Sequence, residues 1–250
     1  MSIDGSMAAR SRFLAAIGEV RDREDGAGRL CVACVLALPV RRVGIVIKVA
    51  GVGIEVLAAS DDVAEQIEWT QVTLGEGPAV DAIARGAPQS LPDLTQAQGA
   101  WPVFLPEIAR FGIGGVFAIP LQMGAIKVGA LDLYCDAGAT FGAPDFADAV
   151  AIAELVTAML LNLDGGGEMP GPLGPWWNQP LSNREVHQAT GMVMAQLGTD
   201  ARSAYVRLQS FAFGNGRLLG DVARDVVELR LRFDPESDDG FAPEQPVTTC

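Results

Sequence analysis

Residues 164–180 read DGGGEMPGPLGPWWNQP, with five glycines and four prolines in 17 positions. Proline removes a backbone donor and fixes φ, and glycine carries the largest entropic cost of ordering. This stretch can therefore continue neither a helix nor a sheet. It reads as a linker, so the chain must fold as a larger N-terminal unit and a short C-terminal one. A second break falls at 234–250, DPESDDGFAPEQPVTTC, which has five acids, no base and several prolines and reads as a disordered acidic tail. Between the breaks lie 53 residues, 181–233.

That short segment is helical three times over. Ser182 and Glu185 have capping-box spacing, and Val186, Ala189, Val193 and Leu197 then recur at helical period. After Gly198 and the cap candidates Thr199 and Asp200 comes a second stripe, Ala204, Tyr205, Leu208, Phe211 and Ala212, which GNG at 214–216 stops. Leu218, Leu219, Val222, Val226 and Leu229 form the third. Three amphipathic helices with short joints bury their faces against each other, so a three-helix bundle is expected.

Charge separates the bundle from the rest. Segment 181–233 has seven arginines against five acids, hence +2, whereas the chain carries 18 − 31 = −13 and everything outside the segment carries 11 − 26 = −15. A locally basic module in an acidic protein suits a confined anionic partner, since phosphate contacts dominate nucleic-acid affinity. A solvated arginine face gives the same count. Gly191 is a further signal, because glycine inside a helix costs roughly 1 kcal/mol against alanine and calls for a packing or contact reason.

The order Arg184, VHQATGMVMAQLG, Ala204-Tyr205 with Leu208, Ala212 and LLGDVARDVV at 218–227 resembles the ANTAR module, an RNA-binding three-helix domain of bacterial transcription antitermination regulators. Thr190 stands where members usually read lysine. The resemblance implies binding of RNA hairpins in nascent transcripts. With Val186, Ala189, Val193 and Leu197 on the buried side, Arg184, His187, Gln188, Gly191 and Met192 are left for contact. Gln188 and Met192 are expected at loop bases, and Arg184, Arg207 and Arg217 at phosphates. For Gly191, close packing against Ala223 is the competing expectation.

The N-terminal unit, residues 11–163, is mixed. Helices are expected near 10–21 and 28–38, then strands at RRVGIVIKV, GIEVLAAS, QSLPDL, GVFAIPLQ and VGALDLYC. A long closing helix follows, with Phe146, Val150, Ala153, Val156, Leu160 and Leu163 on one face. Hairpin-length joints argue for an α+β domain, an antiparallel sheet with flanking helices. The stretch LGEGPAVDAIARGAPQSLPDL at 74–94, with WPVF at 101–104 and GIGGVFAIPLQMGAIKVGALDLY at 112–134, resembles a GAF domain of the kind that precedes ANTAR modules. That resemblance implies a small-molecule sensor or dimerising signal module. The pattern of its cyclic-nucleotide version is missing, and bilin or haem anchors are placed differently, so no cofactor is expected and the ligand stays open. The long apolar face at 146–163 exceeds what the first helix needs, which predicts a homodimer through this unit.

Other classes are set aside on residue grounds. His187 is the single histidine, which excludes two-histidine metal sites, and Cys31, Cys34, Cys135 and Cys250 lack a second close pair, so no metal is expected. Cys31 and Cys34 read as small buried hydrophobes. Catalysis is not expected either: Asp61-Asp62 and Asp238-Asp239 read as solvated loop charge, and GEGP at 75–78 lacks the lysine of a phosphate loop. The apolar runs at 30–40 and 150–163 are too short to cross a bilayer, and MSIDGSMAARSRF has no signal-peptide core, so a cytoplasmic protein is expected. The alternative, from a different class, is a sensor whose helical bundle docks a protein or dimerises without nucleic acid. A helix-turn-helix DNA reader lacks a recognition helix rich in base-reading residues.

Overall fold

The computed structural model describes residues 3–20, 26–50, 52–97, 99–161 and 184–234. The linker at 164–180, the tail from 235 onward, Leu163, Ser182 and Cys250 lie outside the described residues. The chain divides into two compact units, residues 1–48 with 54–181 and residues 49–53 with 182–250, and each is described by itself.

The first unit is built on a five-stranded sheet. Its strands are β1 (Arg42–Val49), β2 (Gly53–Ala59), β3 (Gln89–Leu91), β4 (Ile113–Met123) and β5 (Ile126–Asp136), in the order β2-β1-β5-β4-β3. The β1–β5, β4–β5 and β3–β4 pairs are antiparallel, as expected. Among the described residues six α-helices accompany it, α1 (Ile3–Glu19), α2 (Gly26–Ala37), α3 (Asp62–Leu74), α4 (Pro78–Arg85), α5 (Phe104–Ala109) and α6 (Ala143–Leu160), with a short 3-10 turn at Leu94–Gln96. Successive residues of a strand face opposite sides, and β4 shows what covers each. Val116 joins a cluster with Ile67 of α3 and Phe104 and Ile108 of α5. Its neighbour Phe117 packs at a tilt against Phe141 and approaches Phe146 of α6 on the other face. The sheet is therefore covered on both sides, with α1 and α6 joined by Arg12–Asp148 at 3.1 Å and by the Arg10–Glu154 pair.

Two expectations change here. The C-terminal half of the apolar face of α6 is not spare, because Ala153, Val156 and Leu160 are buried within this unit, with α1 and β4 packed against the helix, while Phe146 and Val150 are half-buried. Asp61 and Asp62 are not loop charges: Asp61 caps α3, accepting from the Ala64 N–H at 2.8 Å, and Asp62 is its first residue. The GEGP turn joins two helices. Gly75 ends α3 at φ 61°, Pro78 opens α4, and Glu76 Oε1 accepts from the N–H groups of Val103 and Phe104 at the start of α5, both at 2.9 Å. Gly77, at φ 146°, leaves room for Gln71, whose Oε1 lies 2.4 Å from where a Cβ would stand.

The second unit contains α7 (Arg184–Leu197), α8 (Ala201–Gly214) and α9 (Leu219–Val227). Val186, Ala189, Val193, Ala204, Leu208, Ala212, Leu219, Val222, Ala223 and Val226 are buried, so the three stripes meet as the periodicity predicts. Asp200 caps α8 through the Ser203 N–H at 3.0 Å. Leu229 departs from the third stripe, being 67% exposed at φ 61° just past the end of α9. Leu231 and Phe233 return to the core instead, with Phe233 edge-on to Phe211 at 5.4 Å.

Candidate nucleic-acid interface

Helix α7 sorts its residues by facing. Val186, Ala189, Thr190 and Val193 are buried, and Arg184, Gln188, Gly191 and Ala195 are exposed at spacings of four, three and four, which places them on one stripe. His187 and Met192 are half-buried beside it. The stripe runs about 16 Å from Arg184 to Ala195 at 1.5 Å per residue. A Cβ on Gly191 would meet nothing within 4 Å, so the packing against Ala223 that sequence allowed is absent. Thr190 lies inside the bundle, its hydroxyl donating to the Val186 carbonyl at 2.7 Å, and does not share the exposed stripe.

The arginines divide between structure and surface. Arg217 Nη2 donates to Asp225 Oδ2 at 2.6 Å, and Arg230 Nε donates to Asp225 Oδ1 at 2.7 Å. Burial acts to raise the Asp225 pKa, and the two guanidinium partners overcome it and hold the carboxyl below its ordinary value. Arg224 reaches from α9 to Glu185 on α7 at 3.2 Å. Arg207 is half-buried. Arg184, Arg202 and Arg232 are exposed and make no ion pair with another described residue. Of the three arginines expected at phosphates, Arg184 is thus open, Arg207 is partly covered and Arg217 is committed to Asp225. Sequence reasoning missed Arg202 and Arg232, since only the fold shows which arginines lack an acidic neighbour.

Residues 179–227 match the sequence model of the family described as the ANTAR domain. The second unit carries an ANTAR domain. Helices α7, α8 and α9 up to Val227 lie within the match, and the ordered segment from Glu228 to Asp234 extends the ANTAR unit beyond it. No curated protein matches the chain. Among solved structures, the GAF domain of a phosphoenolpyruvate-protein phosphotransferase from Coxiella burnetii aligns at 19% identity, over 61% of this chain and 92% of that one, with a TM-score of 0.47. The GAF domain of the Acinetobacter phosphoenolpyruvate-protein phosphotransferase aligns at 11% identity over 63% and 93%, with a TM-score of 0.45. A type II free methionine-R-sulfoxide reductase from Thermoplasma acidophilum aligns at 18% identity over 62% and 94%, with a TM-score of 0.39.

In the first unit, the region where the GEGP motif meets the sheet holds a buried polar cluster instead of an apolar core. Gln71 Nε2 donates to Glu68 Oε2 at 3.1 Å, Asp132 Oδ2 at 3.2 Å and the Tyr134 hydroxyl oxygen at 3.1 Å, and Gln71 Oε1 accepts from the Ala79 N–H at 2.9 Å. All four side chains are at most 1% exposed. Burial pushes Glu68 up to about 7. It also drives Asp132 well above the carboxylate range, with the nearby Glu68 charge adding to the shift. Cys31, Cys34 and Cys135 are buried free thiols, and burial raises Cys34 far up and Cys135 to about 11, so neither is poised as a thiolate. Among the described residues no group of three or more metal-ligating side chains occurs, and no helix is long and apolar enough to cross a membrane.

Proposed function

We propose that this chain is a signal-responsive, non-catalytic regulator that binds hairpin RNA through its ANTAR domain and acts in transcription antitermination. The first unit serves as a GAF-like sensor for a small molecule. The observation that carries this reading is the exposed α7 stripe of an ANTAR domain, which begins at Arg184, without an ionic partner among the described residues, and continues through Gln188, Gly191 and Ala195. Such a low, partly polar surface suits unstacked loop bases, and the free guanidinium suits a phosphate. The test is binding of the full chain to a stem–loop RNA pool and to duplex DNA across a salt series. Hairpin preference with a negative salt slope supports the reading, and equal binding to both or to neither removes it.

The sensor unit is proposed to pair with a second copy. A groove of about 750 Å³ lies between α1 and α6, bordered by Arg10, Ala147, Val150 and Glu154, and Met7 and Leu14 of α1 are exposed. Light scattering of the full chain at micromolar concentration should give twice the chain mass, and a monomer overturns it. One observation favours the alternative docking role of the bundle: Val206 and Phe213, seven residues apart on α8, are 47% and 55% exposed. On that reading Phe213→Ser abolishes partner or self-association and leaves RNA binding unchanged.

A further inference from the structure

Beside the α7 stripe lies a groove of about 380 Å³ lined by Met192, Ala195, Gln196, Leu229, Arg230, Leu231 and Arg232. One wall is α7, and the other is the segment after α9, outside the residues matched as ANTAR. We propose that this groove is a pocket for a single unpaired RNA base, with Arg232 holding the adjoining phosphate. The inference rests on the RNA-binding reading given above.

The residues around the groove point to this occupant. Leu229 occupies the position just past a helix end where glycine is the usual left-handed residue, yet it is leucine at φ 61° with its side chain 67% exposed. Its N–H donates to the Val226 carbonyl at 3.1 Å, and the N–H groups of Arg230 and Leu231 both donate to the Asp225 carbonyl, so the backbone is held in this unfavourable state. These hydrogen bonds offset the left-handed turn, whereas the leucine side chain is left exposed, and an apolar ligand face set against Leu229 and Met192 would cover it. Gln196 supplies a polar edge: because its Oε1 accepts from the Phe233 N–H at 2.9 Å, the donor end of the amide is fixed by elimination and makes no bond to another described residue. That end can donate to a carbonyl or ring nitrogen of a base.

The wall itself is firm. Leu231 and Phe233 are buried at 4% and 1%, and they alternate with the outward Arg230 and Arg232. Arg230 is tied to Asp225, so its charge is compensated and its planar group is available for stacking. Arg232 is exposed and without an ionic partner among the described residues, so it is the guanidinium available at the rim, whereas Arg230 pairs with Asp225 and Glu228. Apolar faces, one oriented amide donor and one free guanidinium are the recognition chemistry of an extruded base and its phosphate.

The test uses the full chain and stem–loop RNAs selected by it from a pool with a randomised loop. Ala195→Phe fills the groove from an exposed position, so the fold should stand, as circular dichroism would check. Binding should fall by roughly tenfold, within the range of one lost base contact, with the salt slope unchanged. An RNA carrying one abasic loop nucleotide should bind this variant and the wild type equally. Leu229→Gly removes the left-handed strain, so thermal stability should rise while RNA affinity drops several-fold, an opposition that a purely structural role does not produce. Wild-type affinity in both variants overturns the pocket and leaves RNA binding standing, as does tighter binding by Ala195→Phe. Failure of the wild type to select any stem–loop overturns the pocket and the functional reading together.

Discussion

The Tyr134 hydroxyl donates a 2.7 Å hydrogen bond to Glu68 Oε1 inside the first unit, where both side chains are wholly buried. Glu68 comes from the middle of α3 and Tyr134 from β5, so the bond ties a helix to the sheet in the midst of a polar cluster. A carboxylate there has lost its water, and the tyrosine and Gln71 only partly replace it.

The consequence is a stability that depends on pH in an unusual direction. Glu68 is raised to about 7 in the folded chain, so the folded state favours its protonated form. The associated stability is complete below the unfolded carboxylate pKa and is lost as pH rises through about 7, and Asp132 shifts in the same sense. Asp93, Asp200 and Asp225 are lowered and titrate beneath this window. Unfolding of the first unit, followed by near-ultraviolet circular dichroism, should cost on the order of 2 kcal/mol less near pH 8 than near pH 5. Glu68→Gln should shrink that difference, and a profile unchanged by the substitution rejects the assignment.

Gly44 should be intolerant of any side chain. It pairs with Asp132 across β1 and β5, and a Cβ there would lie 1.9 Å from Glu68 Oε1. Gly44→Ala must therefore expel Glu68 from its site, breaking its bonds to Gln71 and Tyr134 together. A loss of several kcal/mol in the first unit is expected, in the range for disrupting a buried polar network, with RNA affinity of the folded protein little changed. Thermal melting within a degree of wild type would contradict the geometry.

How far this was readable from sequence depends on the kind of signal each element carries. The strands β1, β2, β4 and β5 announce themselves as short, nearly continuous apolar runs, because the sheet is covered on both sides, and the bundle helices do so because burial of one face imposes a period on many residues. Helices α3 and α4 are absent from the sequence reading. Helix α3 buries Glu68, Thr70, Gln71 and Thr73 where a periodic apolar stripe would be sought, α4 is only eight residues long, and the GEGP turn between them reads as a loop. The buried cluster is invisible for the same reason, since Glu68 and Asp132 lie 64 positions apart and look like surface charge. On the exposed stripe of α7, Arg184, Gln188 and Gly191 follow from helical facing alone. The commitment of Arg217 to Asp225 and the return of Leu231 and Phe233 to the core depend on how α9 ends, which no periodicity encodes.

The cysteines of α2 should prove to be packing residues. Cys31 and Cys34 are fully buried, and desolvation holds Cys34 as a thiol at any accessible pH. Replacing both by alanine removes two sulfur atoms from the core, so stability should fall by roughly 1 to 3 kcal/mol while RNA binding persists. Stoichiometric zinc in the purified protein, measured by elemental analysis, would overturn this.

Arg184 and Arg217 should separate binding from stability. Arg184 is exposed at the start of α7 and has no ionic partner among the described residues, so its truncation leaves the bundle intact. Arg184→Ala should weaken binding to every RNA about equally and reduce the salt slope by about one, as expected when one phosphate contact is removed. Arg217 sits 2.6 Å from Asp225, whose side chain is 19% exposed and is shared with Arg230. Arg217→Ala leaves that carboxylate with one guanidinium fewer, at the point where the chain enters α9. It should lower the melting temperature of the ANTAR domain by an amount equivalent to about 1 kcal/mol, with little change in salt slope. The discriminating measurement is the pair of salt series beside the pair of melting curves. If Arg217→Ala changes the slope and spares the stability, Arg217 contacts RNA after all, and its pairing with Asp225 gives way when RNA binds.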